Sequence, residues 1–238
     1  ISAFNAVKAG ATHIDINFGC PAKRVNGHGG GSFLLQDPQQ LNNIVTQVRK
    51  AVPVAVPVSA KIRLGYNDES LFSENVAAIE EAGAYSLTIH GRTKSDGYKP
   101  PARWEKIAGV AQNSAMTIVA NGDITDFDSL LACRGITGCN HFMIGRAALA
   151  NPFVFLQIRN AMEGRIDPDR EQQLFKTLSN YAEQLERLCG EAPTLGRLKQ
   201  WCAHLRKTFP KIDEQLSSLR RCNSVAAFIR QLETSIIE

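Results

Sequence analysis

Several common sequence signatures are missing from this chain of 238 residues, and each absence removes a class of function. No apolar run approaches the roughly 20 residues that a membrane-spanning helix needs, so no membrane association is expected. No histidine or cysteine falls at the spacing of zinc ligands, which argues against a bound metal. The chain lacks the GxxxxGK[ST] loop, and its glycine-rich segment lacks the third glycine of a dinucleotide fingerprint.

The amino terminus also lacks two features, an initiator methionine and a secretion signal. The chain begins Ile1-Ser2-Ala3-Phe4, without a basic and then apolar segment. Its six cysteines contain no CxxC pair and no compact disulfide framework, so we expect reduced thiols and a cytoplasmic location. A net charge of +4 does not by itself indicate a nucleic-acid partner.

Five strand patterns alternate with helical patterns in the first two thirds of the chain. They begin near residues 13, 58, 86, 117 and 141, which predicts βα units and a parallel sheet. An open doubly wound sheet and a (β/α)₈ TIM barrel both contain such units. Within Val58–Leu64, apolar residues alternate with Ser59, Lys61 and Arg63. Because open parallel sheets have near-continuous apolar strands, this alternation favours a barrel with a polar lumen.

Five βα units are too few to close an eight-stranded barrel. The pattern after residue 160 is helical only, so we expect about three further units before Ile1, in a longer protein of which this is the carboxyl-terminal portion. The sequence predicts a partial barrel over residues 1–162 and a small all-helical domain over residues 163–238. The helical pattern begins at Pro168, with helices predicted over 170–188, 195–209 and 223–232.

Cys20 follows the first strand pattern directly, within the segment Asp15–Lys23. Functional side chains gather where strands end, so this thiol is a candidate reactive group. The alternative is an inert cysteine in the core, which is the commoner role of a free thiol. The glycine-rich segment Gly27–Gly31 follows, and we interpret it as a flexible loop beside the site.

Two further groups of polar residues lie at strand ends. Asn121–Asp123 follow the fourth strand, and Gly145 and Arg146 follow the fifth. Loops after the last two strands of a barrel often bind phosphate through backbone N–H groups, although these glycines could also serve tight turns. Lys61 and His90 face the predicted lumen, where they could either stabilise an electron-rich cofactor ring or belong to a structural ion network.

The helical tail carries a basic stretch without acidic residues over positions 192–212. A solvated helix face is one interpretation of such a run, and a phosphate-contacting surface is the other. The cations that would bind RNA in the second interpretation are Arg197, Lys199, Arg206 and Lys207.

Five motifs together resemble the tRNA-dihydrouridine synthases. They occur in that family's order as Ile14–Lys23, Lys61–Gly65, Ile89–Thr93, Ala120–Ile124 and Met143–Ala147. In the helical tail, Leu198–Trp201 extends the match. Val25–Gly31 and the pair Gln200-Trp201 look most like the bacterial class that modifies uridine 16 of the D-loop.

The resemblance implies a role for each matching residue. Cys20 corresponds to the catalytic acid that gives a proton to C5 of uracil, while a hydride from reduced FMN reaches C6. Asn17 and Arg63 correspond to contacts of the target uridine, and Lys61 and His90 to contacts of the flavin ring. The FMN phosphate site corresponds to Asn121, Gly122, Asp123, Gly145 and Arg146.

The resemblance further implies NADPH as the reductant, tRNA as the partner of the helical domain, and a monomer. Two alternatives remain open at this point. One is a flavoenzyme that acts on a free pyrimidine, as dihydroorotate dehydrogenases do, although these would have no use for a basic helical tail. The other is a non-catalytic tRNA-binding fragment with an incomplete barrel.

Overall fold

The computed structural model describes residues 1–166 and 170–237, with side chains through residue 234. The five predicted strands are all present and form one parallel sheet. They follow one another across the sheet in chain order, without a reversal. Their bounds are β1 (Ile14–Asn17), β2 (Val58–Arg63), β3 (Ser86–His90), β4 (Thr117–Asn121) and β5 (His141–Met143).

Helices connect these strands, and the longest begins at a capping signal. Asp37 Oδ1 accepts a hydrogen bond of 3.0 Å from the Gln40 N–H, and Pro38 occupies the first helical position. The helices of this part are α1 (Ser2–Lys8), α2 (Lys23–Asn26), α3 (Pro38–Ala51), α4 (Phe72–Glu81), α5 (Trp104–Asn113) and α6 (Phe127–Thr137), with a 3-10 helix over Gly31–Gln36.

The two faces of the sheet differ in polarity, as the alternation within the strands predicts. On one face the apolar side chains of β2, β3 and β4 are buried, and α3 and α5, whose buried residues are Leu41, Val45 and Ile107, contact these strands. The buried strand residues of this face include Ala60, Ile62, Leu87, Ile89 and Ala120. The opposite face carries the polar residues, which positions them for a site.

The carboxyl-terminal part of the chain is helical in its described residues. Its helices are α7 (Arg146–Ala150), α8 (Val154–Met162), α9 (Arg170–Cys189), α10 (Glu191–Leu205), α11 (Pro210–Arg221) and α12 (Val225–Ile237). Apolar residues at helical spacing form a common core, including Leu178, Leu198, Leu205, Ile212 and Phe228. Pro168, where the helical pattern begins in the sequence, lies outside the described residues.

The predicted helix over 195–209 is wrong at its carboxyl end. α10 ends at Leu205, four residues before the predicted end, and a further helix, α11, which was not predicted, begins at Pro210. Proline lacks the N–H that would continue a helix, so it suits the first position of a new one. Within the described ranges, no helix combines the length and apolar character needed to cross a membrane.

The chain divides into two compact units. The first consists of Ile1–Ile124 and Asp128–Ile144, and the second of Thr125–Phe127 and Gly145–Glu238. The first unit contains the sheet and the second contains α7 to α12. The functional division after residue 162 stays a prediction.

Candidate active site

Polar side chains from four adjacent strands share one face of the first unit. The register pairs Arg63 with His90, and His90 with Asn121. Two residues earlier along β2, Lys61 pairs with Asn17 of β1. Since paired residues of parallel strands point the same way, all five side chains lie on the face opposite the packed helices. The predicted site residues of this unit therefore meet at the carboxyl ends of neighbouring strands.

Lys61 lies beside Asn17 and Gly19. A Cβ atom at Gly19 would stand 3.5 Å from Lys61 Nζ and 3.6 Å from Asn17 Oδ1, so both side chains border this glycine. Asn17 Oδ1 accepts a hydrogen bond of 2.9 Å from the Gly19 N–H, which fixes the amide. The pKa of Lys61 is lowered to about 8, first by burial and then by repulsion from Arg63, while attraction to Asp15 acts in the opposite direction.

Arg63 is 2% exposed and connects three backbone segments. Its Nε donates to the Gly19 carbonyl at 3.0 Å, and its Nη1 donates to the carbonyls of Thr93 and Gly97, each at 2.9 Å. The guanidinium also lies 5.3 Å from the ring centroid of Tyr98. Burial lowers the pKa of Arg63, which remains a cation because arginine keeps its proton in proteins. Its contact with uridine stays a prediction.

Arg92 holds a second buried network. Its side chain is fully buried, with Nη1 3.1 Å from His90 Nε2 and Nε donating to the Lys99 carbonyl at 2.6 Å. Its Nη2 forms an ion pair with Asp123, whose Oδ2 also accepts from the Ala102 N–H at 2.8 Å. Arginine only donates, so His90 Nε2 is the acceptor of this contact.

Gly122 and Asp123 form a turn with two successive positive φ angles, 116° and 54°. A Cβ atom at Gly122 would stand 2.9 Å from Ala102 Cβ and from His90 Cδ2, so only glycine fits. Trp104 Nε1 donates to the Gly122 carbonyl at 2.9 Å and holds the turn from outside. The Asp123 carboxylate serves Arg92 and Ala102, so any part of Asp123 in phosphate binding falls to its backbone.

Of the remaining residues of the predicted phosphate site, one belongs to the first unit and two belong to the second. Asn121 Nδ2 donates to the Met143 carbonyl at 2.7 Å, within the first unit. Gly145 immediately precedes α7 and Arg146 begins it, within the second unit. Their joint action on one phosphate group stays a prediction.

The backbone of Cys20 is held by the segment that follows it. Its carbonyl oxygen accepts from Asn26 Nδ2 at 2.8 Å and from the Ser32 N–H at 3.0 Å. Ser32 Oγ lies 2.9 Å from this oxygen and 2.9 Å from Asn26 Oδ1, so its single proton serves one of them at a time. A Cβ atom at Gly31, where φ is 59°, would stand 2.7 Å from the Cys20 oxygen. The residues 27–30 thus connect α2 to the 3-10 helix, and Gly31, the first residue of that helix, packs on Cys20.

The thiols of the chain differ in their surroundings. Cys20 is partly exposed at the end of β1. Cys133 and Cys202 are buried, and burial raises the pKa of each to about 12. Burial also raises the pKa of Cys139. Thiols in such surroundings are structural, which separates them from Cys20.

The four predicted RNA-binding cations of the second unit differ in whether their side chains have partners. Lys199 Nζ donates to the Cys222 carbonyl at 2.6 Å, and Arg206 Nε lies 2.8 Å from Asp213 Oδ1. Arg197 and Lys207 are exposed and have no side-chain partner in the described part of the chain. Two of the four cations are thus available without breaking an existing interaction.

Comparison with known proteins identifies the family. Residues 2–236 match the profile of the Dihydrouridine synthase (Dus) family. The chain belongs to the dihydrouridine synthase family. It is 40% identical to the tRNA-dihydrouridine(16) synthase of Cupriavidus necator over 220 residues, which span 92% of this chain and 68% of that protein. Against the proteins of the same name from Ralstonia nicotianae and Shewanella oneidensis, identity is 41% and 39%, over 94% and 98% of this chain and 68% and 72% of theirs.

The sequence analysis missed three residues that shape the site of this dihydrouridine synthase. Asn26 and Ser32 hold the Cys20 carbonyl, and Arg92 connects His90 to Asp123. A possible signal for the first two is their place in the segment after Cys20, where polar side chains often bond to nearby backbone. Across residues 1–166 and 170–237, no cluster of histidine, cysteine or carboxylate side chains is arranged to hold a metal ion.

Proposed function

We propose that this dihydrouridine synthase uses FMN and NADPH to reduce the C5–C6 bond of uridine 16 in the D-loop of tRNA. The family membership supports the reaction, and the names of the similar proteins support the position. The observation that carries the proposal is the Cys20 loop. Asn26 and Ser32 hold the backbone of Cys20, the residue is partly exposed, and the loop follows the strand that presents Asn17 beside Lys61.

The catalytic domain is proposed to be part of a (β/α)₈ TIM barrel. Support comes from the unbroken order β1 to β5 and from the helices on one face of the sheet. Doubly wound sheets reverse their strand order at a switch point, and these strands do not. In a barrel, the carboxyl ends of the strands carry the active site, which agrees with the positions of Asn17, Lys61 and His90.

The residues present suit FMN. Lys61 and Arg63 bring positive charge to the polar face, which suits an electron-rich ring, and Lys61 and His90 are proposed to contact that ring. At Gly122 the backbone is free of a side chain, as close approach of a phosphate requires. The proposed phosphate site consists of Asn121, Gly122, Asp123, Gly145 and Arg146. When bound, FMN supplies the hydride for C6 of uracil, after reduction by NADPH.

The residues of the chain then bind the uridine and supply the proton. Cys20 gives a proton to C5, since a cysteine thiol carries a proton at neutral pH and can act as a general acid. Asn17 and Arg63 are assigned to holding the base, and the fixed amide of Asn17 is suited to this because it needs no reorientation. The uridine must leave its stack, at a cost of a few kcal/mol that contacts elsewhere on the tRNA offset.

The second unit is proposed to provide those contacts. Phosphate neutralisation by lysine and arginine supplies most of the affinity of proteins for nucleic acids. The assigned residues are Arg197, Lys199, Arg206 and Lys207. A cytoplasmic monomer acting on free tRNA fits this assignment.

The proposal is tested by activity on a defined substrate. The purified chain is incubated with FMN, NADPH and an unmodified tRNA transcript, and dihydrouridine is located by mass spectrometry of nuclease fragments. Formation at position 16 is the expected result, and it should require both FMN and NADPH. Dihydrouridine at another position would overturn the assignment of uridine 16. If no dihydrouridine forms although flavin is bound, as judged by visible absorbance, the proposed activity is wrong.

A further inference from the structure

A cavity of about 370 Å³ opens within the second unit, apart from the residues assigned to chemistry. Three helices line it, with Leu149 from α7, Tyr181 from α9 and the rest from α10. The α10 residues are Arg197, Gln200, Trp201 and His204. Small-molecule sites occupy about 300–1,000 Å³, so the cavity is large enough for a planar ring of moderate size.

The aromatic wall of this cavity is rigid. The rings of Tyr181 and Trp201 stand edge to face, with centroids 5.0 Å apart and an interplanar angle of 79°. Trp201 Nε1 donates to the Leu149 carbonyl at 3.0 Å, which fixes the indole against α7. The Leu149 side chain itself is 49% exposed. An exposed apolar side chain beside a held indole and a second aromatic ring offers a surface for a flat ligand.

The polar residues of the cavity lie along one face of α10. Positions 197, 200, 201 and 204 follow the helical spacing that aligns side chains. Arg197, Gln200 and His204 are exposed, and none of them has a side-chain hydrogen bond or ion pair within the ranges that the structure describes. The cavity therefore combines a stacking surface with a cation, an amide that both donates and accepts, and an imidazole.

We propose that this cavity binds one unstacked nucleobase of an RNA strand, with Gln200 at the edge of the base and Arg197 at its phosphate. The inference rests on the proposed function, because it assigns a subsite to the tRNA-binding unit. Single-stranded RNA is recognised by aromatic stacking together with positive charge, and the cavity offers both. The absence of acidic residues over positions 192–212 removes repulsion of a phosphate on the α10 side.

The test uses fluorescence from the cavity itself. The chain has two tryptophans, so Trp104→Phe leaves Trp201 as the single reporter. The Trp104→Phe variant of the whole 238-residue chain is titrated with a short single-stranded oligoribonucleotide. A separate titration uses an abasic ribose-phosphate oligomer of the same length. We expect the oligoribonucleotide to quench the Trp201 emission and the abasic oligomer to leave it unchanged. Equal quenching by both oligomers, or by neither, would overturn the proposal.

Matched substitutions separate the cavity from general charge. In the same titration, Arg197→Ala should weaken binding of the oligoribonucleotide about tenfold, as loss of a hydrogen bond to a charged group does. Arg230→Ala removes the same charge from an exposed position on α12 and should have little effect. Equal weakening by both substitutions would overturn the assignment. Dihydrouridine formation is assayed on the unsubstituted chain, because Trp104 Nε1 donates to the Gly122 carbonyl. Base-dependent quenching without dihydrouridine formation would then refute the activity alone, whereas dihydrouridine formation without such quenching would refute the cavity alone.

Discussion

Two pairs of cations, one pair from each unit, differ in how they are used. In the first unit, Arg63 and Arg92 are buried, and their N–H groups bond to backbone carbonyls, to Asp123 and to His90 Nε2. In the second, Arg197 and Lys207 are exposed and unpartnered within the described residues. A buried and fully bonded arginine fixes geometry, whereas an exposed cation remains available to a phosphate. The first pair therefore holds backbone segments in place, and the second pair is available to a ligand.

The largest expected effect would test the first unit, where Arg63 holds Gly19 next to Cys20. Cys20→Ala should lower the rate of dihydrouridine formation by about 10²–10⁴-fold, because it removes the proposed general acid. The measurement is single-turnover conversion of tRNA, followed by mass spectrometry. Affinity for tRNA should stay the same. Cys222→Ala, which alters a partly exposed thiol of the second unit, is the control, and an equal loss in both variants would contradict the role of Cys20.

A pair of glycines tests whether the backbone of Cys20 must be held in place. Gly31→Ala would bring a Cβ atom to 2.7 Å from the Cys20 oxygen, so we expect turnover to fall about ten- to a hundredfold through displacement of the loop. Gly29 also has a positive φ, 73°, but nothing lies within 4 Å of its added Cβ. Gly29→Ala therefore costs only backbone strain, about 1–3 kcal/mol of unfolding free energy. Similar turnover in the two variants would show that displacement of Cys20 is unimportant.

The pH dependence of stability tests the cost of a buried cation. The pKa of Lys61 is lowered from 10.5 to about 8, chiefly by burial. Between those pH values the unfolded chain binds more protons than the folded chain does. The burial of charged Lys61 therefore destabilises the fold fully below pH 8, and this destabilisation is lost as the pH rises towards 10.5. Lys61→Met should therefore raise the free energy of unfolding at pH 7, by about 3 kcal/mol at most, and by less at pH 10.

Urea unfolding of both proteins at the two pH values measures this difference. Lys50→Met changes an exposed lysine on α3 and provides the control, since it should give no such change with pH. A stability gain of Lys61→Met that is the same at pH 7 and pH 10 would contradict the shifted pKa.

The smallest expected effect would test the exposed cations of the second unit. Lys207→Ala should weaken tRNA binding a few-fold and reduce the slope of log affinity against log salt concentration by about 1, because one phosphate contact is lost. Lys199 already donates to the Cys222 carbonyl, so Lys199→Ala should lower stability by about 1 kcal/mol and change the salt slope less. Binding titrations at several salt concentrations, with urea unfolding of each variant, distinguish the two. A larger slope change for Lys199→Ala would reverse the assignment.

The sequence predicted the sheet well because its information is local. Alternation within Val58–Leu64 identified the two faces, and the register of β2 with β3 then brings Arg63 beside His90, as expected of strand ends. The end of α10 and the presence of α11 were less visible, since only the four residues 206–209 separate the two helices. Local patterns locate elements better than they locate the ends of those elements.

The contacts inside the site could not be predicted, because they join residues distant in sequence. Arg63 bonds to carbonyls 30 to 44 positions away, and no residue pattern specifies which carbonyl will face a guanidinium. The pairing of Arg92 with Asp123 across 31 positions is of the same kind. The sequence indicated which residue types lie at the strand ends, and only the fold determined which partners they bind.

One consequence of the Arg63 network concerns motion. A single planar group bonds to Gly19, one residue before Cys20, and to Thr93 and Gly97 in the loop after β3. Shifting either loop stretches bonds to the other, so the two loops are mechanically coupled. If a base that entered beside Cys20 displaced Gly19, Arg63 would transmit the displacement to Thr93 and Gly97, and the two loops would move together.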